Sequence, residues 1–204
     1  MAFDLQGATA LVTGGNRGIG EAFVRAFLSG GAAKVYVGTR DPANATHLAE
    51  EGGERVAILP LDVADPAQIE QAASVARDVS VLVNNAGAFL NQRLIESPTI
   101  DAARAEMEVN YFGLLGMCRA FAPILKANGG GAIVNVLSSG GLVAVPAMGG
   151  YSPSKFAARA ATTSIRAELA KQGTSVSALI VGSVDTRMAA HVAGAKERPE
   201  DIAR

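Results

Sequence analysis

The chain has 204 residues and a net charge of −1, with 49% hydrophobic and 18% charged residues. This length allows one domain with a sizeable core, and the near-neutral charge gives no reason to expect a nucleic acid or an anionic membrane as a partner. A single cysteine argues against an intrachain disulfide, and no basic N-terminal region or run of about 20 apolar residues is present, so we expect a cytoplasmic protein without signal peptide or membrane span.

The first half of the chain alternates short apolar runs with longer amphipathic ones. This alternation is typical of an α/β fold with a doubly wound parallel sheet and helices on both faces. Two helix starts stand out, Asp41-Pro42 and Asp65-Pro66, because each has aspartate as the cap and proline at the first helical position. The predicted strands are Ala8–Thr13, Lys34–Thr39, Val56–Leu61 and Val79–Val83.

The second half continues the same pattern. One long helix is predicted over Ala102–Ala127, and a run of glycines after Asn128 ends it. A strand at Ala132–Leu137, a helix at Tyr151–Lys171 and a strand at Ser175–Val181 follow. No composition change marks a boundary, so we predict one domain over residues 1–204.

A glycine-rich turn connects the first predicted strand to a helix. Gly14, Gly18 and Gly20 have the spacing G-x-x-x-G-x-G, which departs from the usual dinucleotide pattern G-x-G-x-x-G. Glycines still allow a pyrophosphate to approach the backbone, and the free N–H groups of the helix face it. No Gly-Lys-Ser/Thr follows, which excludes a P-loop. A tight turn without any ligand remains the alternative for this motif alone.

The end of the second strand indicates which dinucleotide would bind. A free ribose 2′-hydroxyl is usually held by an acidic side chain here, whereas an arginine suits a 2′-phosphate. Thr39 is neutral, Arg40 is cationic, and Arg17 in the glycine turn could supply a second cation. Each arginine could also be a solvated surface charge. Together they favour NADP over NAD.

Tyr151 and Lys155 are one helical turn apart, so their side chains share a face. A phenol has a pKa of about 10, and a nearby ammonium lowers it toward the range of a working acid or base. Proton transfer beside a nucleotide points to hydride chemistry on a carbonyl or an alcohol.

These motifs, in this order, resemble the short-chain dehydrogenase/reductase family in its compact single-domain form, with a Rossmann-like fold. The resemblance covers roughly residues 5–186. It rests on Thr13-Gly14-x-x-x-Gly18-x-Gly20, Asp62, Asn84-Asn85-Ala86-Gly87, Asn110, Ser138 and Tyr151-x-x-x-Lys155.

The resemblance implies four catalytic residues. Tyr151 would be the general acid/base, and Lys155 would lower the tyrosine pKa and hydrogen-bond the nicotinamide ribose. Ser138, favoured over Ser139 by its spacing to the tyrosine, would polarise the substrate carbonyl. Asn110 would hold a water that relays protons to Lys155.

The resemblance also implies a set of cofactor-binding residues. Asp62 and Val63 would flank the adenine, and residues 85–87 would line the adenosine and ribose, although hydrogen bonds between strands are an alternative role for Asn84 and Asn85. The full set is Gly14, Asn16, Arg17, Gly18, Ile19, Gly20, Arg40, Asp62, Val63, Asn85, Ala86, Gly87, Tyr151, Lys155, Gly182, Val184 and Thr186.

Two departures from the family pattern are visible. Val181 stands before Gly182 where the family has proline, which would leave the nicotinamide loop slightly less constrained. The sequence also ends at 198–204, within what looks like the start of a helix and before the family's final strand.

Loops at the carboxyl ends of the strands, roughly 88–98, 139–150 and 183–204, are predicted to form the substrate pocket. Their apolar residues are candidate pocket walls or simply loop packing: Phe89, Leu90, Leu142, Val143, Val145, Met148 and Met188. His47 and His191 have no further ligand at a suitable spacing, so we predict no metal site and place both at the surface.

The leading hypothesis is therefore an NADP(H)-dependent oxidoreductase that transfers a hydride between the cofactor and a carbonyl or secondary alcohol. The alternative is a dinucleotide-binding sensor or scaffold with weak or lost catalysis. A nucleotide-sugar epimerase would need a larger substrate domain. We also predict a homodimer through the helices 102–127 and 151–171, rather than a tetramer, since the family's terminal helix and strand are absent.

Overall fold

The computed structural model describes residues 4–204 and contains a six-stranded, wholly parallel sheet. Its strand order is β3-β2-β1-β4-β5-β6, which confirms the predicted doubly wound architecture. All six predicted strands are present; β2 has the predicted bounds, and the ends of the others shift by at most two residues. They are β1 Thr9–Thr13, β2 Lys34–Thr39, β3 Val56–Pro60, β4 Val81–Asn84, β5 Gly131–Ser138 and β6 Thr174–Val181.

Helices cover both faces of the sheet because successive strand residues point to opposite sides. On one face Leu11 and Leu82 pack with the buried side chains of α3, α5 and α6; on the other, Val12 and Val83 pack with those of α1 and α2. The helices are α1 Gly18–Ser29, α2 Thr46–Gly52, α3 Pro66–Val75, α4 Asp101–Met107, α5 Leu114–Ala127, α6 Tyr151–Leu169 and α7 Pro199–Ile202. No helix within residues 4–204 is long and apolar enough to cross a membrane.

The two Asp-Pro helix starts behave as predicted, with one difference. The side chain of Asp65 accepts the N–H of Ala67 at 2.9 Å and caps α3 directly. Asp41 accepts the N–H of Ala43 at 3.2 Å, but the first turn after it is a 3₁₀ turn, Pro42–Ala45, and α2 begins only at Thr46.

The predicted helix Ala102–Ala127 is wrong as a single element. A π-helical turn, Glu108–Gly113, separates α4 from α5. The apolar face runs through this turn, which is why the periodicity predicted one helix. The wider turn contains Asn110, which is 1% exposed, and it brings Gly113 so close to Val63 that a side chain there would lie 2.8 Å from the Val63 carbonyl oxygen. Such turns are rare and often mark functional sites.

The topology creates a crevice where the strand order reverses. The connection after β1 leads to β2 on one side, whereas β4, the other neighbour of β1, leads to β5 on the opposite side. Ligands of open α/β sheets bind at this point, beyond the carboxyl ends of the strands.

A cavity of about 300 Å³ lies elsewhere, on the face of the sheet covered by α1. It is lined by Phe23, Phe27, Val134, Leu179 and Ile202, among others. This cavity contains none of the candidate site residues, so we do not assign it to the active site.

Candidate active site

The glycine turn has the backbone geometry that an anion site requires. Gly14 and Gly18 have φ values of 62° and 56°, in the left-handed region that favours glycine. A side chain at Gly20 would collide with the carbonyl of Gly14. Among residues 4–204, no side chain caps the start of α1, so its first N–H groups are available to a ligand.

Asn85 fixes the shape of this turn from the neighbouring strand. Its Nδ2 donates to the carbonyls of Thr13 at 2.9 Å and Gly14 at 3.1 Å. The Thr13 hydroxyl in turn accepts the N–H groups of Asn85 and Ala86, both at 3.0 Å. The segment after β4 is therefore bound to the glycine turn through these hydrogen bonds.

Three arginines converge beside the turn. The pKa of Arg17 is lowered by its partial burial and by the nearby positive charges of Arg187 and Arg40. Within residues 4–204, none of the three forms an ion pair with a carboxylate. Like charges that converge without a protein counter-ion are destabilising, and a bound anion would relieve this repulsion.

Arg187 could not have been identified from the sequence. It lies 147 positions after Arg40 (187 − 40 = 147) on the segment 183–197. This segment is closed at its base, where Asp185 N–H donates to the Glu197 carbonyl at 2.8 Å and Glu197 N–H donates to the Ser183 carbonyl at 2.9 Å. The closed loop brings Arg187 close to Arg17.

Other predicted cofactor residues of this segment occupy different environments. Val184 is buried, Gly182 is exposed, and a Cβ added at Gly18 would lie 3.2 Å from the methyl group of Thr186. In the glycine turn itself, Asn16 and Ile19 are half-buried. Thr186 therefore lies close to the glycine turn.

The structure separates Asp62 from Val63. The carboxylate of Asp62 accepts the N–H of Ala64 at 3.0 Å and is half-buried at the crevice. Val63 is 7% exposed, and its side chain belongs to the core beneath α5. Its side chain is thus a packing element, while Asp62 remains at the edge predicted for adenine.

Asn84 and Asn85 differ in the same way. Asn84 is buried, and its Nδ2 donates to Asn135 Oδ1 of the neighbouring strand at 2.9 Å and to Cys118 Sγ at 3.3 Å. Cys118 is buried, and its pKa is raised to about 12 by that burial. Asn84 thus has the strand-bonding role that we considered as an alternative, whereas Asn85 serves the glycine turn.

Tyr151 and Lys155 lie at the start of α6, with the Lys155 Nζ 5.7 Å from the centre of the tyrosine ring. Lys155 is buried and donates to the Val136 carbonyl at 3.1 Å. Burial lowers its pKa to about 8. The amine is therefore still mainly protonated at pH 7 but loses its proton at a much lower pH than an ordinary lysine does.

The pKa of Tyr151 differs from the expectation. Burial raises it above the usual value, the Ser138 hydroxyl opposes this by hydrogen bonding, and the charge of Glu106 raises it further. In the folded protein, the desolvation that raises the Tyr151 pKa outweighs the lowering that we expected from Lys155.

Ser138 is the last residue of β5 and is 8% exposed, whereas Ser139 is exposed. Its hydroxyl accepts the N–H of Gly140 at 3.1 Å. A Cβ added at Gly140 would lie 3.4 Å from the Ser138 oxygen and 3.3 Å from the Tyr151 ring. Gly140 therefore lies between the two hydroxyl-bearing side chains, which supports the preference for Ser138.

Asn110 lies beside Lys155 but is held differently from the expectation. Its Nδ2 donates to the Ala88 carbonyl and to Ser154 Oγ, and its Oδ1 accepts the Ala88 N–H, all at 2.9 Å. A Cβ on Gly87 would lie 3.2 Å from Asn110 Oδ1 and 3.7 Å from Lys155 Nζ. The side chain thus holds the Ala88 backbone, and the proposed water relay stays a prediction.

Two further contacts near Tyr151 were not predicted. The ring of Phe89 packs edge-on against Tyr151, with 5.1 Å between ring centres, and also contacts the ring of His191 at 5.1 Å. Glu106 of α4 is 1% exposed and accepts the Leu90 N–H at 2.7 Å. His191 is exposed as expected, although it packs on Phe89, whereas His47 is half-buried, with its Nε2 3.4 Å from Glu21 Oε1.

Comparison with known proteins relates this site to a family. The chain is 36% identical over 206 residues to the 3-alpha-(or 20-beta)-hydroxysteroid dehydrogenase of Mycobacterium tuberculosis, covering 99% of this chain and 76% of the relative. It is 39% identical to the galactitol 2-dehydrogenase (L-tagatose-forming) of Cereibacter sphaeroides, covering 97% and 78%.

A solved structure shows the same fold. A short chain dehydrogenase from Burkholderia cenocepacia, crystallised in complex with NADP, superposes with a TM-score of 0.91 at 42% identity, covering 98% of this chain and 83% of that one. The family model of the short chain dehydrogenases matches residues 8–197. The chain therefore belongs to the short-chain dehydrogenase family, as its motifs predicted.

Proposed function

We propose that this oxidoreductase uses NADP(H) to interconvert a secondary alcohol and its ketone on an apolar skeleton. The observation that carries the proposal is the meeting of Tyr151, Ser138 and Lys155 beside a glycine turn flanked by three arginines. The dehydrogenase relatives and the NADP-bound solved relative confirm the predicted enzyme class and cofactor.

The residues of the crevice fit a phosphorylated dinucleotide. The positive φ values of Gly14 and Gly18 and the uncapped start of α1 suit the pyrophosphate. Arg40 and Arg17 would hold the 2′-phosphate, and Arg187 would add positive charge from the loop 183–197. When bound, NADP(H) supplies or accepts the hydride at the substrate carbon.

The protein's own residues handle the proton. Tyr151 gives its phenolic proton to the oxygen of a ketone undergoing reduction, or takes the proton of an alcohol undergoing oxidation. The Ser138 hydroxyl donates a hydrogen bond to the same oxygen and stabilises its developing charge. Lys155, with a pKa near 8, can exchange a proton close to Tyr151 at neutral pH.

The apolar rim around Tyr151 favours an apolar substrate. Several large hydrophobic side chains on the three pocket loops are 41–67% exposed, and polar polyols would not contact them favourably. They are Leu90, Leu142, Val143, Val145 and Met188. The relatives act on both kinds of substrate by name, hydroxysteroids and galactitol, and the rim of this chain favours the first kind.

Nicotinamide absorbance tests the proposal directly. NADPH oxidation should be measured with a steroid ketone, cyclohexanone and L-tagatose, and NADH should be compared under the same conditions. We expect the highest kcat/KM with the steroid ketone and NADPH. Preference for L-tagatose would contradict the apolar substrate, and NADPH binding without any turnover would favour the sensor or scaffold alternative.

The finer predictions about assembly and location remain part of this proposal. On α6 the buried residues Lys155, Ala158 and Thr162 face the sheet, while Ala160 and Thr163 are exposed and allow another helix to approach closely. With Phe112 50% exposed beside α5, these helices support the homodimer. Light scattering at micromolar concentration checks it, and a monomer would contradict it. The cytoplasmic location stays a prediction.

A further inference from the structure

One buried acid has no place in the chemistry above. Glu106 is the only buried carboxyl group among residues 4–204, and it forms no ion pair there. Burial raises its pKa, and the hydrogen bond from the Leu90 N–H opposes that increase. A buried carboxyl group without a cation lowers the stability of the folded protein. We therefore infer the role of Glu106 from the groups that it contacts.

Glu106 works beside Asn110. Asn110 binds both the N–H and the carbonyl of Ala88, and Glu106 binds the N–H of Leu90. The two side chains, four residues apart, therefore bind the backbone of two residues, Ala88 and Leu90, in the segment that follows β4.

Phe89 lies between these two attachment points. The backbone is held on both sides of Phe89, at Ala88 by Asn110 and at Leu90 by Glu106. The Phe89 ring lies 5.1 Å from the rings of both Tyr151 and His191. The position of the ring thus depends on the hydrogen bonds on either side of it.

The other oxygen of Glu106 is close to the residue before Tyr151. A Cβ added at Gly150 would lie 2.8 Å from Glu106 Oε2, and one added at Gly149 would collide with the Gln92 carbonyl. The loop 88–93, the carboxyl group and the turn before α6 are therefore packed as one unit. Moving the loop would move the surroundings of Tyr151.

We propose that Glu106 is a positioning residue of the substrate pocket: through the Leu90 N–H it holds the Phe89 ring against Tyr151 as the wall that selects flat, apolar ketones. The substrate class in this proposal rests on the proposed function, whereas the hydrogen bond between Glu106 and the Leu90 N–H does not depend on it. The acceptor oxygen is the part of Glu106 that matters, so a glutamine can replace it and a leucine cannot.

Two measurements on the full chain test this assignment. Amide exchange at Leu90, resolved by NMR, should become roughly tenfold faster or more in Glu106→Leu and in Glu106→Asp, whose shorter side chain cannot reach. Glu106→Gln should keep most of the protection. Glu108→Leu is the matched control, because Glu108 is exposed two residues away on the same segment, and it should leave Leu90 exchange as in the wild type.

The second measurement is the ratio of kcat/KM for a steroid ketone to that for cyclohexanone. Glu106→Leu and Glu106→Asp should lower this ratio roughly tenfold, mainly by raising KM for the steroid. Glu106→Gln should keep the ratio close to that of the wild type. Phe89→Ala should lower it equally, and adding Glu106→Leu to Phe89→Ala should change it no further, because both act on one wall.

The outcomes are distinguishable. Three results would overturn the assignment. They are additive losses in the double variant, an unchanged kcat/KM ratio in Glu106→Leu, and a Glu106→Gln variant with the same losses as Glu106→Leu. If Glu106→Leu does not fold, Glu106→Asp gives the same readings with a carboxyl group retained. If the wild type turns over no ketone, the proposed function fails, and Leu90 exchange alone still decides whether Glu106 holds the loop.

Discussion

The two halves of the crevice differ in burial and in charge. On the side of β1 and β2, exposed arginines converge with no carboxylate partner in the described part of the chain, and the first backbone N–H groups of α1 are open. On the side of β5 and α6, Ser138 and Lys155 are buried, and Tyr151 has a raised pKa because of burial. One half is prepared to receive an anion from solvent, and the other keeps proton-transferring groups in a region of low polarity.

This difference makes separable predictions, because changes in the buried half should affect chemistry and pH dependence, whereas changes in the exposed half should affect cofactor affinity. An arginine variant that lowered turnover at saturating cofactor as strongly as cofactor affinity would show that the halves are not distinct.

The largest effect is expected for Tyr151→Phe, which removes only the ionisable hydroxyl. General acid–base catalysis contributes about 10²–10⁴-fold, so turnover should fall by roughly 10²-fold or more while NADPH affinity persists. Steady-state kinetics and fluorescence binding measure the two quantities. Tyr36→Phe is the control, since its hydroxyl contacts Lys34 and Asp78 away from the site. Near-normal turnover in a folded Tyr151→Phe protein would refute the assignment.

Lys155→Met probes the burial of a charge in the catalytic half. Below about pH 8 the folded and the unfolded chain both hold the lysine proton, so the full burial penalty applies; between about 8 and the usual 10.5, only the unfolded chain holds it. The cofactor-free variant should therefore be more stable than the wild type by up to about 3 kcal/mol at pH 7, and this advantage should shrink as the pH rises toward 10.

Denaturant unfolding at pH 7 and pH 10 checks this. The comparison of the two proteins cancels other groups that titrate at high pH, such as Tyr36. A stability difference that stays constant with pH would mean that the lysine keeps its ordinary pKa in the folded protein.

Arg40→Ala probes the exposed half. A charge-assisted hydrogen bond to a 2′-phosphate contributes about 1.5–3 kcal/mol, so NADPH affinity should fall roughly tenfold or more and NADH affinity far less. Arg77→Ala, which removes an exposed arginine beyond α3, serves as control. Equal losses for both cofactors would place Arg40 away from the 2′-phosphate.

The smallest effect is expected for Arg187→Ala. Exposed charges interact by about 0.2–1 kcal/mol, so NADPH affinity should fall by roughly fivefold at most, and less at high ionic strength. Titration at two salt concentrations measures this. A loss that does not depend on salt would indicate a direct hydrogen bond in place of a long-range attraction.

Local chemistry explains why so much of the crevice could be predicted. The glycine turn, Ser138 at the end of β5 and the pair Tyr151 and Lys155 each follow from residues close together in sequence, where spacing fixes geometry. The same holds for the strands, since short apolar runs between caps and glycines leave few alternatives in a parallel sheet.

What the sequence could not provide were contacts between distant residues and the burial that follows from them. The charge of Arg187 acts on Arg17 from a loop, 183–197, that closes on itself, and the Phe89 ring contacts Tyr151 while Asn110 and Glu106 bind the residues on either side of it. The π turn around Asn110 was hidden for a related reason, since its apolar face continues the α-helical pattern.

The sequence by itself thus determined the family, the doubly wound parallel sheet, and which residue types would meet a dinucleotide. Only the tertiary structure decided their electrostatic state. Burial raises the pKa of Tyr151 against the expected effect of Lys155 and lowers that of Lys155 to about 8, because desolvation depends on every chain segment packed around a group and not on its neighbours in sequence.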